Sequence, residues 1–104
     1  MTASPANQPT LRVAAIQMNS RADKASNIAT ALDLIDRAAA EGVRFVTLPE
    51  VWPYLGPSSG ERDAAEVFPG PTIHQLAERA QRHGIFLHAG SMLESRAGLS
   101  LIHI

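Results

Sequence analysis

A glutamate directly follows a proline at the end of an apolar run, in the stretch V-R-F-V-T-L-P-E-V-W-P-Y that covers residues 43–54. The run from Val43 to Leu48 is rich in β-branched residues, which predicts a buried strand. Proline has no N–H for the ladder, so the strand must end at Pro49, and Glu50 follows at the carboxyl edge where open α/β sheets bind ligands. Glu50 is therefore a candidate general base. The alternative is a solvated loop glutamate, because most glutamates are exposed.

Two aromatic residues follow this glutamate. Trp52 and Tyr54 are candidates for the lining of a substrate pocket, because such side chains combine a large apolar surface with one polar group. They could equally pack in the core or within a loop. Residues 55–70 carry glycines, prolines and charges without a sustained period, which predicts a long loop. Loops of this length in compact domains are often functional.

Several other kinds of site are excluded by composition. The chain has no cysteine, so it contains no disulfide, thiolate metal ligand or cysteine nucleophile. Its four histidines form neither an H-E-x-x-H motif nor a close pair on one helical face, so we expect no metal site. No glycine-rich phosphate motif follows the first strand. We therefore expect no nucleotide and no other cofactor.

The strands and helices that position Glu50 can be predicted from the spacing of apolar residues along the sequence. Leu11–Met18 is nearly continuously apolar, which fits a strand covered on both faces. A helix follows, with Asp23 placed either to cap its N-terminus or to oppose its dipole, and with Gly42 as the residue of positive φ at its end. Its apolar positions recur at spacings of three and four, at Ala25, Ile28, Leu32, Ile35 and Ala39. The polar positions that we place away from that stripe are Lys24, Asn27, Asp33 and Asp36.

A second helix is predicted from Pro71 to the His83-Gly84 pair, with Thr72 and Gln75 as a capping box. Its apolar stripe contains Ile73, Leu76, Ala77 and Ala80. The third strand covers residues 85–90. Strand, helix and strand in this order predict parallel strands joined by right-handed crossovers.

The ends of the chain and its overall charge limit the possible partners. Residues 1–10 are polar and proline-containing, which predicts a disordered tail. That segment lacks the features of a secretion signal, and no apolar run is long enough for a membrane span, so we expect a cytoplasmic protein. Nine basic residues against ten acidic ones, without a basic cluster, argue against nucleic-acid or membrane binding. A small-molecule substrate remains compatible.

Three strand motifs, together with the long alanine-rich helix, resemble the start of the nitrilase, or carbon–nitrogen hydrolase, superfamily. They are L-R-V-A-A-I-Q-M at the first strand, G-V-R-F-V-T-L-P-E at the second and H-G-I-F-L-H-A-G-S-M-L-E at the third. The resemblance runs from about Leu11 to Glu94. Its most specific element is L-P-E, because the first catalytic residue of the family is the glutamate after that proline. The resemblance implies an α/β fold, here a partial α-β-β-α sandwich of three to four strands with two crossover helices.

The same resemblance implies a mechanism in which Glu50 is the general base. In the family, this carboxylate removes a proton from a cysteine thiol, which attacks an amide or nitrile carbon and gives a thioester that water hydrolyses. A lysine stabilises the oxyanion. This sequence departs from the pattern, because it has no cysteine and its one lysine, Lys24, precedes Glu50, whereas the family order is glutamate, lysine, cysteine. We therefore expect the chain by itself to be inactive.

The missing residues suggest that residues 11–104 are the N-terminal part of a truncated carbon–nitrogen hydrolase domain. The last six residues, L-S-L-I-H-I at 99–104, have two interpretations. They resemble a translated sequencing adapter and would then not be native, or they form a genuine fourth strand.

Two functions follow from these interpretations. In the first, the chain is part of a hydrolase that acts on small amides, with nitriles as the less favoured substrate class. We expect the full-length form of that hydrolase to be a homo-oligomer. The second is a non-catalytic α/β module that binds a ligand or protein. The coding sequence beyond Ile104 separates these two hypotheses.

Overall fold

A computed structural model of the chain describes residues 8–96 and 99–103. Three short strands form a parallel sheet in chain order: β1 (Val13–Ala15), β2 (Phe45–Thr47) and β3 (Phe86–His88). The register places Val13 beside Phe45 and Phe45 beside Phe86. Helix α1 (Lys24–Ala40) connects the first two strands, and residues 48–85 connect the second to the third. The predicted α/β fold with parallel strands and crossover helices is confirmed.

Helices cover one face of this sheet, and in the described part of the chain the apolar side chains on the other face are exposed. Val46, in the middle of β2, is fully buried in a cluster with Ile35 of α1 and Leu76 of the helix that precedes β3. On the opposite face, Val13 and Phe86 are 59% and 70% exposed, in the same row as the partly exposed Phe45. Because side chains alternate across a strand, these apolar residues all point away from the helices.

Helix α1 begins and ends as predicted, but its buried stripe is displaced. The Asp23 carboxylate accepts a hydrogen bond from the Ser26 N–H at 3.1 Å, and Gly42 has a φ of 83°. The fully buried positions are Asn27, Ala31 and Ile35, whereas Ala25 is exposed. Our placement of Asn27 on the polar side was wrong, because its side chain bonds to two other segments and is buried with them.

Helix α2 (Glu61–Ala64) and a 3₁₀ turn at Ser58–Gly60 lie within the segment predicted as a loop without regular structure. Helix α3 (Pro71–His83) follows and ends at Gly84, which has a φ of 62°. The predicted capping box is wrong. Thr72 is the second residue of the helix rather than its N-cap, and it is Glu66 that accepts hydrogen bonds from the N–H and the hydroxyl of Thr72.

A second, antiparallel pair of strands follows the parallel sheet. Strand β4 (Ser91–Ser95) pairs with β5 (Leu99–His103), so that Ser91 lies opposite His103. The sequence predicted the third strand over 85–90, whereas β3 covers only Phe86–His88, and Gly90, with a φ of 68°, separates it from β4. The predicted strand at 99–104 is present as β5 up to His103. The disordered tail predicted for residues 1–10 falls mostly on residues 1–7, which lie outside the described part of the chain.

Candidate active site

The carboxyl end of β2 delivers Glu50 to a turn. The N–H of Leu48 donates to the carbonyl oxygen of His88 at 2.9 Å, which is the last ladder bond before Pro49. Proline offers no further donor, and the chain turns over residues 50–53. The side chain of Glu50 is exposed at this point. A carboxylate at this edge can accept a proton from a group bound above the strands.

The junction between β3 and β4 packs directly against this turn. A Cβ atom at position 90 would overlap the carbonyl oxygen of Pro49 and approach that of Leu48 to 2.9 Å. Gly90 also has a positive φ of 68°. Both the close approach and the backbone conformation therefore require glycine at this position.

Trp52 supports the turn from the core side. Its side chain is fully buried, and its indole N–H donates to the carbonyl oxygen of Ala89 at 2.8 Å. Its own carbonyl oxygen accepts a hydrogen bond from the Ser20 hydroxyl at 2.7 Å. Trp52 is itself part of the turn, and it joins the turn to the end of β3 and to the loop after β1. Its predicted role in lining a substrate pocket stays a prediction.

Asn27 connects the same turn to the start of α1. Its amide nitrogen donates to the carbonyl oxygens of Arg21 and Pro53, at 2.8 and 2.9 Å, and its Oδ1 accepts from the Arg21 N–H at 3.1 Å. The sequence interpretation missed this residue. The spacing of four that joins Asn27, Ala31 and Ile35 was the signal that could have placed it on the buried stripe.

Tyr54 lies at the start of the long connection to α3. It is buried, and its hydroxyl donates to the carbonyl oxygen of Pro57 at 2.8 Å. It also lines a small open depression of about 80 Å³ with five other residues, Val51, Leu55, Gly56, Glu61 and Leu93. Tyr54 is thus beside the turn that carries Glu50, and its role toward a substrate stays a prediction.

The connection between β2 and α3 is also held in place by Glu66, a second residue that the sequence interpretation missed. The ammonium group of Lys24 lies 2.6 Å from the Glu66 carboxylate, and Thr72 donates to the same group from its N–H and hydroxyl. Burial raises the pKa of Glu66, but the hydrogen bonds from Lys24 and Thr72 outweigh it and leave the pKa below the ordinary value of 4.5. Lys24 is thereby engaged in a structural ion pair.

The described residues, 8–96 and 99–103, contain no group of three or more His, Asp or Glu side chains placed to hold a metal ion. Within the same residues, none of the helices is long and apolar enough to cross a membrane. The chemical group that the site provides is the Glu50 carboxylate, on a turn held by hydrogen bonds from Asn27 and Trp52 at the edge of the parallel sheet.

Comparison with solved structures supports the same architecture. A crystal structure from Xanthomonas campestris, described as a CN-hydrolase superfamily protein with an arsenic adduct in the active site, superimposes with a TM-score of 0.70. The superposition covers 89% of this chain and 40% of the other, at 23% sequence identity. At that identity the likeness shows the fold.

Sequence relatives are similar over most of the chain. The omega-amidase NIT2 of Mus musculus is 35% identical over 89 residues, which are 86% of this chain and 32% of the relative. The deaminated glutathione amidase of Synechocystis is 35% identical over 77 residues, or 74% of this chain and 28% of the relative. The chain therefore spans about a third of the length of these curated relatives. Residues 12–102 match the family described as Carbon-nitrogen hydrolase, and the chain belongs to that family.

Proposed function

We propose that this chain supplies the general base, Glu50, of a hydrolase that cleaves the carbon–nitrogen bond of small amides. The observation that carries the proposal is the position of Glu50, exposed directly after Pro49 on a turn held by Trp52 and Asn27. The relatives named as amidases favour an amide over a nitrile as the substrate.

In the proposed reaction, the Glu50 carboxylate takes the proton of a cysteine thiol, and the sulfur attacks the amide carbon. The carbon–nitrogen bond then breaks as Glu50 returns this proton to the leaving nitrogen, so that ammonia departs and a thioester remains. Water hydrolyses the thioester to a carboxylic acid and restores the thiol. An ammonium group stabilises the oxyanion that develops in both steps.

We propose that the cysteine and the catalytic lysine belong to a longer product of the same gene. The 104 residues contain no cysteine, and Lys24 is paired with Glu66. We call the product that includes both groups the extended protein. We propose that it is a homo-oligomer, with Tyr54 contributing to the substrate pocket and Trp52 supporting that pocket from beneath.

The test replaces Glu50 by glutamine in the extended protein and measures ammonia release from small aliphatic amides. Glutamine keeps the shape but cannot accept the proton, so we expect kcat to fall by about a hundredfold to ten-thousandfold. Glu41→Gln is the matched control, since Glu41 is an exposed glutamate at the end of α1. A kcat for Glu50→Gln near that of the parent would contradict the proposal, as would a natural stop codon directly after Ile104.

A further inference from the structure

The residue after Glu50 has an unusual backbone conformation. Val51 has a φ of 51°, and it is the one residue other than glycine with a positive φ in the described part of the chain. For a β-branched residue this conformation is a true outlier, because the side chain crowds the backbone. Such conformations persist where the surrounding structure over-determines them.

A buried hydroxyl group is hydrogen-bonded to Val51 in that conformation. The N–H of Val51 donates to Oγ of Ser91 at 2.8 Å, across forty positions of the chain. Ser91 is fully buried at the first position of β4, next to Gly90. An alanine there would leave the Val51 N–H without this acceptor, and the half-buried valine could relax toward a negative φ.

Glu50 is therefore held on both sides by the same dipeptide. Gly90 contacts the carbonyl oxygen of Pro49, the residue before Glu50, and Ser91 bonds the N–H of Val51, the residue after it. The Cα of Glu50 lies between these two contacts. A change at either contact would therefore act on the peptide groups from which the carboxylate projects.

We propose that Ser91 is a positioning residue for Glu50, acting through the backbone of Val51. The inference rests on the proposed role of Glu50 as the general base. Ser91 holds the turn in the conformation that aims the carboxylate at the thiol proton, without itself contacting substrate. Misplacing a catalytic group by about 1 Å can cost about a hundredfold in rate. A hydroxyl that only positions the backbone beside Glu50 can therefore still affect kcat.

The test compares Ser91→Ala with the parent in the extended protein, below the unfolding temperature of both. We expect kcat to fall by about tenfold to a hundredfold while KM stays within about twofold, because the substrate contacts are unchanged. Adding Val51→Gly to Ser91→Ala should restore several-fold of kcat, because glycine reaches positive φ without help from the hydroxyl. A merely structural serine would show no such rescue.

Each outcome decides the proposal. If Ser91→Ala keeps the parent kcat while Glu50→Gln is inactive, the role of Ser91 is wrong and the role of Glu50 stands. If Val51→Gly gives no rescue, Ser91 does not act through the Val51 backbone and the inference fails. If Glu50→Gln is active, the proposed function itself fails. Should Ser91→Ala not fold, Ser91→Cys, with a similar volume and a weaker acceptor, is judged by the same criteria.

Discussion

Glu66 and Thr72 lie six residues apart on either side of the start of α3, and the Glu66 carboxylate accepts both the backbone N–H of Thr72, at 2.9 Å, and its hydroxyl. The first N–H groups of a helix have no partner within the helix, and Gly70 at the N-cap has no side chain to serve them. Glu66 therefore caps α3 from outside. Because Lys24 of α1 binds the same carboxylate, this residue joins both crossover helices.

We expect Glu66→Gln to destabilise the fold by about 1.5–3 kcal/mol, the range for hydrogen bonds to charged groups. The amide keeps one acceptor oxygen but loses the charge that pairs with Lys24. The measurement is urea unfolding of the extended protein, with Glu61→Gln as the control in the neighbouring short helix. A loss of stability no larger than that of the control would show that Glu66 does not cap α3.

The same carboxylate should make stability depend on pH. The pKa of Glu66 is lower in the folded chain than its ordinary value of 4.5, so its contribution is present above that pH and is lost as the pH falls through the folded-state value. Unfolding free energies measured between pH 7 and pH 3 should fall more steeply for the parent than for Glu66→Gln. Parallel curves for the two proteins would refute this assignment.

A cluster of charged side chains on the surface between α1 and α3 should contribute less to stability than Glu66 does. Asp36 of α1 accepts from Arg79 at 3.0 Å and lies 2.7 Å from Nε2 of His83. Burial raises the pKa of Asp36, but these two partners outweigh it and lower the pKa below its ordinary 3.8. Because Asp36 is about a third exposed, we expect Asp36→Asn to cost only about 0.2–1 kcal/mol, and less at high salt. Equal losses at low and high salt would contradict an ionic origin.

The uncovered face of the parallel sheet should make the 104-residue chain marginally folded or prone to aggregation. When a few hundred Å² of apolar surface stay exposed to water, the fold loses several kcal/mol of stabilisation, at about 25 cal/mol per Å². Phe86→Thr should therefore reduce the binding of an apolar dye without lowering stability. Leu87→Thr, one residue along on the helix-covered face, should destabilise the chain. A monodisperse parent that unfolds cooperatively and binds no dye would overturn this expectation.

The purified 104-residue chain should not hydrolyse amides. Glu50 can activate only a nucleophile that is present, and proximity of base and nucleophile supplies much of the rate. The check is ammonia release over a long incubation, with Glu50→Gln as the background. Turnover that depends on Glu50 but needs no cysteine would refute the proposed mechanism.

The regular elements were predictable because their signals are local. The apolar run before Pro49 and the alanine-rich period of α1 each place an element from neighbouring residues alone. The contacts that brace Glu50 were not predictable in this way. Asn27 bonds to Pro53 and Ser91 bonds to Val51, so the partner in each case is distant in the chain.

Two local signals were misleading for a similar reason. Thr72 and Gln75 match a capping box, but the carboxylate of Glu66 reaches the helix start first. Residues 85–90 were predicted as one strand, but β3 ends at His88, before Gly90 packs against the carbonyl oxygen of Pro49. In both cases a tertiary contact overrides a valid local preference.

The parallel sheet has its strands in the same order as the chain, with β1 beside β2 and β2 beside β3. This order affects how the protein can fold during synthesis. Each strand can join the exposed edge of the strand made before it, once its crossover helix has left the ribosome. Among the three strands described here, none is inserted between two strands that were made before it. The turn that carries Glu50 gains two of its hydrogen bonds only after β3 and the start of β4 have been made, because Ala89 and Ser91, which bond to Trp52 and Val51, are translated well after it.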